Sequence, residues 1–323
     1  MKKILKFLGW TALGIAGIAV LAYAAALWVA QSRYDRTWVA HVADFPIPFP
    51  LSGDELAAIP ETERAGLDLE AQARERAIAR GGQLINSRVS CNFCHGGDFG
   101  GNAVIDVPFV GKWIAPNLTT GQGSVTTGYT AADWDRAVRH GLRRDGRSSS
   151  MPAIDFVNLS DHELSDIVAF IRSRPPVDRD LGKVRFGPVF TFLIATDPGA
   201  FSASSIDHAK THAVEPPTAA PNPEYGEHLV QVCRGCHGER LSGGKLKGDP
   251  NMPLVANLTP HETGLKDWTE ADFIRAMREG ERKDGTAISE FMPWKAYGQM
   301  SDTELRAMYA YLRTLEPIEK GNR

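Results

Sequence analysis

The longest apolar stretch of the chain is an uncharged run from Phe7 to Ala30. Its length corresponds to about 36 Å of helix, against a hydrocarbon core of about 30 Å. Lysines precede the run and a tryptophan lies near each end, as is typical of membrane spans: Lys2, Lys3, Lys6, Trp10 and Trp28. The pattern predicts a single-pass anchor in the cell inner membrane, with a cytoplasmic N-terminus and the rest of the chain on the periplasmic side.

A cleaved signal peptide is the alternative interpretation of this run. Ala22-Tyr23-Ala24 and Ala24-Ala25-Ala26 both satisfy the small-x-small rule for cleavage. The apolar residues continue beyond both sites through Leu27, Trp28 and Val29, which favours an uncleaved anchor. Both interpretations export the remaining domains.

Amphipathic helical patterns then occur twice. In each case Thr130 or Thr269 is the predicted N-cap of a helix that stops near a glycine, Gly141 or Gly280. A later helix begins at a Ser-x-x-Glu capping box, Ser160 to Glu163 or Ser301 to Glu304, and stops before a proline, Pro175 or Pro317. Further helices are expected from about Ala71 and about Tyr225. Little in either set resembles a strand, so we predict an all-α fold.

The two sets form an internal repeat of about 140 residues. Ala115–Thr119 corresponds to Val255–Thr259, Tyr129–Ala137 to Trp268–Ala276, and Leu159–Asp161 to Met300–Asp302. The repeat predicts two tandem domains, 69–177 and 223–323. They follow the anchor at 1–33 and an extended lead-in at 34–68, and a linker at 178–222 joins them. Within this linker, the apolar segment 186–195 is expected to pack against a domain or a partner.

The overall composition excludes one class of partner. The chain has 323 residues and a formal charge of −3, without a clustered basic stripe. Nucleic-acid binding requires such a stripe, so no nucleic-acid partner is expected.

Each repeat begins with a Cys-x-x-Cys-His motif, and the two motifs contain all four cysteines. Two thiols separated by two residues, followed at once by a histidine, form the attachment site of a c-type haem. Cys91, Cys94 and His95 therefore predict one covalently bound haem c, with His95 as an iron ligand. Cys233, Cys236 and His237 predict a second, with His237 as an iron ligand.

Redox or zinc sites of the Cys-x-x-Cys type are the alternative to haem attachment. A single motif would leave this question open. Two motifs, each followed by the same repeated sequence, favour haem strongly.

The second axial ligand decides what a haem can do, since an open iron binds small molecules and a six-coordinate iron usually transfers electrons. Met151 lies 56 residues after His95 and Met292 lies 55 after His237, and each is followed by proline. We predict these two methionines as the remaining iron ligands. Two other methionines, Met252 and Met300, have no possible iron ligand at the corresponding position of the first repeat. Met277 and Met308 lie on the faces of predicted helices.

Several other side chains are assigned lesser roles. The remaining histidines have no counterparts in the other repeat and are expected to be surface or hydrogen-bonded residues: His41, His140, His162, His208, His212, His228 and His261. Backbone carbonyls of Pro108 or Pro116, and of Pro253, are candidates for orienting the ligand histidines. Asn117 and Asn257 match in position and either contact a haem propionate or stabilise a turn. Phe170 and Tyr311 are expected to pack the last helix of each domain on the first.

The motifs resemble those of class I cytochrome c domains. Within that group they are similar to the membrane-bound cytochrome c subunits of bacterial alcohol, aldehyde and gluconate dehydrogenases. Ala256–Pro260, Trp268–Phe273 and Met292-Pro293-Trp294 carry the resemblance best. It implies a non-catalytic electron relay that works with a dehydrogenase catalytic subunit. Such subunits commonly hold three haems and an anchor near the C-terminus, whereas this chain has two haem motifs and an N-terminal apolar run.

We therefore expect a membrane-anchored dihaem cytochrome that carries electrons from a dehydrogenase partner or quinol to a respiratory acceptor. A catalytic dihaem cytochrome, either a peroxidase or a thiosulfate-oxidising enzyme, is an alternative. Two equivalent methionine sites argue against the peroxidase, and the absence of a spare cysteine argues against the thiosulfate enzyme. The cytochrome subunit of a terminal oxidase is a third possibility.

Overall fold

The N-terminal apolar run lies within one long helix, α1 (Lys2–Tyr34), of a computed structural model that describes residues 2–246 and 252–322. Within those residues, the stretch Lys6–Tyr34 is the one helix long and apolar enough to cross a membrane. Only 6% of the most apolar part of this stretch is buried in the protein. A membrane anchor and a signal sequence both have this profile.

The first repeat folds as a helical domain around one hydrophobic core. The core is formed by Ile85, Leu164, Val168 and their neighbours. Its helices are α4 (Leu69–Leu84), α5 (Cys91–His95), α6 (Ala131–Val138) and α7 (Asp161–Arg172). A π-helical turn at Ile85–Val89 connects α4 to the first cysteine motif.

The second repeat builds a separate core around Leu229, Leu305 and Met308. Its helices are α9 (Pro223–Val230), α10 (Arg234–His237), α11 (Glu270–Glu279), α12 (Trp294–Tyr297) and α13 (Asp302–Leu312). Each copy of the repeat thus folds around a hydrophobic core of its own.

The predicted helix starts are confirmed. The hydroxyls of Thr130 and Thr269 accept a hydrogen bond from the N3 amide of α6 and α11, and the N3 aspartates complete capping boxes. Ser160 and Ser301 form the predicted boxes with Glu163 and Glu304. The same local sequence therefore begins the same helix in both domains.

In each domain the first and last helices cross at a glycine. A Cβ at Gly81 in α4 would overlap the carbonyl oxygen of Asp166 in α7. At the matching place, a Cβ at Gly226 in α9 would overlap the carbonyl oxygen of Ala307 in α13. Phe170 packs directly on Gly82 and Tyr311 on Gly226, as predicted for these two aromatic residues.

The expectation of an all-α fold is wrong in one respect, because the protein also contains a small three-stranded antiparallel sheet. Strand β1 (Asn102–Val107) pairs with β2 (Gly111–Ala115), and β3 (Arg185–Phe186) adds to β2 from the linker. Phe190 of the linker packs on Trp113 of β2, with the ring centroids 5.2 Å apart, and so holds the linker against the sheet. The two residues are far apart in sequence, and the residue pattern of the hairpin alone did not indicate their contact.

The lead-in and the linker both pack on the rest of the protein. Short helices α2 (Gly53–Ala57) and α3 (Glu61–Arg64) follow Phe45, which is buried in the first core. The apolar linker segment forms α8 (Pro188–Thr196), which lies against the C-terminal part of α1. Ile194 of α8 and Ala30 of α1 share one buried cluster. The segment thus packs on the first domain's sheet and also on the long N-terminal helix.

Candidate haem sites

The cysteine motifs occupy short helices with the same exit. Cys91, Cys94 and His95 lie on α5, and Cys236 and His237 on α10, directly after Cys233. The next residues, Gly96 and Gly238, have φ values of 81° and 82°, in the left-handed region that glycine tolerates best. Each helix therefore ends immediately after its histidine, and the chain turns away there.

Both histidines are oriented by a backbone carbonyl. His95 Nδ1 donates to the carbonyl oxygen of Pro116 and His237 Nδ1 to that of Ala256, both at 2.8 Å. This bond fixes the tautomer and leaves Nε2 as the nitrogen that can bind a metal. Pro116 is as predicted, whereas Pro108 and Pro253 are wrong. Ala256 is the residue that corresponds to Pro116 in the repeat, so the repeat indicates the correct carbonyl in the second domain.

Burial keeps these groups neutral. It lowers the pKa of His95, so the imidazole is uncharged at neutral pH and suited to iron. Burial also raises the pKa of Cys91 and of Cys233 to about 12, so both remain thiols.

The second domain encloses a cavity of about 780 Å³. Cys233, Cys236 and His237 lie on its wall, and Met292 also lines it, with Pro293 beside it. Much of the remaining lining is apolar, including Leu265, Phe273 and Leu312, and charged residues such as Arg282 and Lys283 also contribute to it. The volume falls in the range of about 300–1,000 Å³ that is usual for cofactor sites. The residues present thus fit a covalently held haem with a histidine and a methionine available to its iron.

Met151 occupies the matching position in the first domain. In both domains a hairpin leads from the preceding glycine to the methionine: Ser149 N bonds Gly141 O at 2.7 Å, and Ile288 N bonds Gly280 O at 2.6 Å. After each methionine, its carbonyl accepts from the residue two positions on, at 2.8 Å for Met151 and 2.7 Å for Met292. The two hairpins and the turns after the methionines are therefore alike, but Met151 follows Ser149 by two residues, whereas Met292 follows Ile288 by four.

The other methionines have packing roles. Met277, Met300 and Met308 are buried in the second core on helices or beside them, and the first and third also form part of the cavity wall. Met252 is half-buried and precedes the loop that carries Ala256.

Asn117 and Asn257 stabilise turns. Asn117 Nδ2 donates to the carbonyl of Val177 at 2.6 Å, and its Oδ1 accepts from Thr119. Asn257 repeats the pattern with the carbonyl of Ile318 at 2.7 Å and with Thr259. Both amides are 2% exposed and fully engaged by protein groups. The propionate role is therefore not supported, and the pair instead holds the chain that follows the last helix of each domain.

The two sites are joined by a reciprocal contact between domains. The 3₁₀ turn Ala153–Asp155, just after Met151, packs on the second cysteine motif, and the carboxyl of Asp155 lies where a Cβ of Gly235 would be. Conversely, α12, just after Met292, packs on the π-helical turn that precedes the first motif. The methionine loop of each domain thus approaches the haem attachment segment of the other.

A buried ion-pair network crosses the same interface. Glu163 accepts from Arg88 of its own domain and from His228 Nε2 of the second domain, at 2.9 Å for the latter. Burial alone would raise the pKa of Glu163, but Arg88 and His228 outweigh it and hold the pKa well below its ordinary range. His228 was expected to be a surface or hydrogen-bonded residue, and it is hydrogen-bonded. Its interdomain role was missed because no local pattern indicates it.

Two family models match the chain, one in each domain. Residues 76–171 match the model described as cytochrome c oxidase, cbb3-type, subunit III, and residues 223–316 match the model for cytochrome c. These ranges contain both cysteine motifs and both methionine-proline pairs.

Individual relatives point the same way. The chain is 27% identical over 281 residues to a protein of Cereibacter sphaeroides named as a dihaem c-type cytochrome, covering 79% of this chain and 89% of that one. It is 33% identical over 107 residues to the cytochrome c subunit of a quinone alcohol dehydrogenase from Gluconobacter oxydans. That match covers 30% of this chain and only 22% of the relative. A similar subunit from Gluconacetobacter polyoxogenes is 25% identical over 303 residues, covering 84% of this chain and 61% of the relative.

The protein is thus a dihaem class I cytochrome with two covalently bound haem c groups, and it resembles the cytochrome c subunits of bacterial dehydrogenases. Cytochrome c domains of this type transfer electrons, and several of the relatives are named as the cytochrome c subunits of dehydrogenases, which is consistent with an electron-transfer subunit.

Proposed function

We propose that this protein is a membrane-anchored electron carrier that passes single electrons from a dehydrogenase partner, or from quinol, to a respiratory acceptor. In this proposal Cys91 and Cys94 attach one haem, whose iron is bound by His95 and Met151. Cys233 and Cys236 attach the other, whose iron is bound by His237 and Met292. When bound, each haem accepts and releases one electron at a potential that methionine ligation raises.

The reciprocal domain contact is the observation that carries the proposal. Asp155 against Gly235, and α12 against the π-helical turn, bring the ligand loop of each site to the attachment segment of the other. The network of Arg88, Glu163 and His228 holds this arrangement across the interface. A rigid, short connection between two similar sites suits a relay. Two matched methionine loops do not suit a peroxidase, which needs one open iron.

Membrane attachment is supported by how α1 and α8 pack. Tyr23 and Phe192 contact with their ring centroids 5.9 Å apart, so α8 lies beside the part of α1 that belongs to the apolar run. Helix α8 has no charged residue, and Val189, Phe192 and Leu193 remain 42–46% exposed. Apolar side chains beside a membrane span are stable when lipid covers them. In the proposal, α8 therefore lies at the membrane surface next to the anchor.

The partner is proposed from the relatives. Several are named as cytochrome c subunits of alcohol, gluconate or fructose dehydrogenases, which favours a dehydrogenase catalytic subunit as the electron donor. The match of residues 76–171 to a subunit of a cbb3-type oxidase favours a second candidate, a terminal-oxidase complex.

Affinity purification of the full-length protein in mild detergent tests both candidates. A dehydrogenase subunit that copurifies in a fixed ratio, and whose substrate reduces the haems, is the expected result. Recovery of oxidase subunits instead, with haem oxidation by oxygen, would transfer the assignment to the second candidate. Intact mass of the same sample distinguishes an anchor, which retains residues 7–30, from a signal peptide cleaved near Ala24 or Ala26.

A further inference from the structure

A second group of potential metal ligands lies buried between the first domain and the linker. One ligand atom from each of Asp135, His140 and His212 lies within 4.8 Å of the other two. Asp135 and His140 are 0% exposed. The Nε2 atoms of both histidines are buried and have no hydrogen-bond partner. Buried polar atoms without a partner are rare in folded proteins and require an explanation.

Hydrogen bonds around His140 determine which nitrogen is available. His208 Nε2 donates to the carbonyl oxygen of Ala203 at 2.8 Å, so the Nδ1 of a neutral His208 is an acceptor. His140 Nδ1 lies 3.2 Å from that atom and must therefore be the donor. The Nε2 of a neutral His140 then carries a lone pair, which faces Asp135 Oδ2 at 4.0 Å. Two electron-rich atoms face each other without a donor between them, an arrangement that a cation would stabilise.

The surroundings favour an added positive charge. The fixed charges buried here are the carboxylates of Asp135 and Asp161 and the guanidinium of Arg139, which pairs with both. These buried groups, one positive and two negative, have a net charge of −1; the exposed Lys210, which donates to Asn158, adds a positive charge near His212. Burial lowers the pKa of both His140 and His212, so the imidazoles are neutral, the form that binds metals.

We propose that Asp135, His140 and His212 bind a divalent transition-metal ion, with Zn²⁺ as the best match. Two imidazoles and one carboxylate are a common zinc ligand set, with water in the fourth position. Metal–ligand distances of about 2.0–2.2 Å require each ligand atom to move by about 1 Å or less.

Outer contacts are already in place, as metal ligands generally need. His208 accepts from the Nδ1 of His140. The amide of Ala43 donates to Asp135 Oδ2 at 2.6 Å, and Arg139 donates to Oδ1.

The position of the site gives the metal a structural role. Asp135 and His140 belong to α6 and its end, His212 belongs to the linker, and Ala43 belongs to the lead-in. A bound ion would thus join three separate segments of the chain. Two residues after His212, Val214 O accepts from His162 N at the start of α7. The metal would fix the linker on the first domain before the linker enters the second.

The zinc content of the full-length dihaem protein tests this inference. The purified protein is stripped with a chelator, equilibrated with Zn²⁺, desalted, and analysed for zinc and iron by mass spectrometry. We expect one zinc for every two irons, and a zinc-dependent rise in Tm. The haem iron provides an internal count of folded protein, so the ratio does not depend on electron-transfer activity.

Three variants make the test specific. His212→Ala and Asp135→Asn are each expected to lower zinc affinity at least tenfold and to abolish the rise in Tm. His261→Ala, which removes a histidine of the second domain outside the cluster, is the matched control and should bind zinc like the wild type. Asp135→Asn can still accept the bond from Ala43, so at least one ligand variant keeps the local packing. Less than about 0.1 zinc per chain in the wild type, or equal zinc in wild type and His212→Ala, would overturn the proposal.

Discussion

At the scale of single residues, the proposal assigns to one methionine in each domain the role of deciding what the haem iron can do. Met151 and Met292 each follow a hairpin closed by the matching hydrogen bond, and Met292 shares a cavity wall with His237. The chemical argument is that a thioether occupies the sixth position and keeps the iron low-spin and at a raised potential. The same prediction therefore holds for both sites.

Met151→Ala and Met292→Ala should each convert one of the two haems to a high-spin form and leave the other unchanged. The potential of the affected haem should fall by about 100 mV or more, since axial ligands span about 0.8 V. Absorption spectra and redox titration of the purified protein measure both effects. Met252→Ala is the control, because this methionine precedes proline but lies outside the hairpins. A variant with wild-type spectra would remove that methionine from the ligand set.

Residues that orient the ligands were partly predictable. The motif and the repeat identified His95 and His237, but the carbonyl partner of His237 is Ala256 and not Pro253. The error came from choosing a partner by residue type. A backbone carbonyl is available at every residue, so only position relative to the repeat, or the structure, can select it.

At the scale of elements, the two domains share a close helix crossing. Gly81 and Gly226 lie where α4 meets α7 and where α9 meets α13, and neither leaves room for a Cβ. The glycines allow the helix backbones to approach, and the aromatic residues Phe170 and Tyr311 cover the crossing. Helix propensity does not predict this packing, because glycine is unfavourable within helices.

Gly226→Ala should destabilise the second domain by about 1–3 kcal/mol or more, because the added methyl group overlaps the carbonyl of Ala307. Chemical unfolding followed by haem absorbance measures the change. Gly53→Ala is the control, since no atom lies within 4 Å of the added Cβ. Equal stability of the two variants would show that α9 and α13 can separate without cost.

The hairpin of β1 and β2 shows the limit of reasoning by element. Its residues are close in sequence, yet the sheet depends on β3 and on α8, which come about seventy residues later. A two-stranded hairpin alone is marginal in water, and further packing makes it stable. The prediction of an all-α fold failed because that packing is contributed by the linker.

At the scale of the whole molecule, the buried Arg88–Glu163–His228 network holds the two domains together. Its effect on stability depends on pH in a definite direction. The pKa of Glu163 is lowered on folding from its ordinary value of 4.5. The network therefore contributes fully above that value and is lost as the pH falls towards the folded pKa.

Glu163→Gln should lower the free energy of unfolding at pH 7 by about 3–5 kcal/mol, because it leaves Arg88 buried without its charge partner. The difference from the wild type should narrow as the pH is lowered below about 4.5. Denaturant titrations at several pH values measure it. Asp272→Asn is the control: it removes a capping-box side chain in the second domain, which hydrogen-bonds Thr269 and pairs with Arg275 and Lys283 of the same domain. A loss of the same size in both variants would reduce the role of Glu163 to helix capping.

The sequence by itself determined the features that depend on neighbouring residues. Helix caps at Thr130, Ser160, Thr269 and Ser301, both haem attachment motifs and the repeat that pairs Met151 with Met292 were all readable, because their physical basis lies within a few residues or in a copied pattern. Only the tertiary structure decided the sheet, the reciprocal contact of Asp155 with Gly235, the Glu163 network and the Asp135–His140–His212 cluster. Each of these joins segments far apart in the chain, and their proximity follows from the packing of two domains and a linker, which no local sequence pattern specifies.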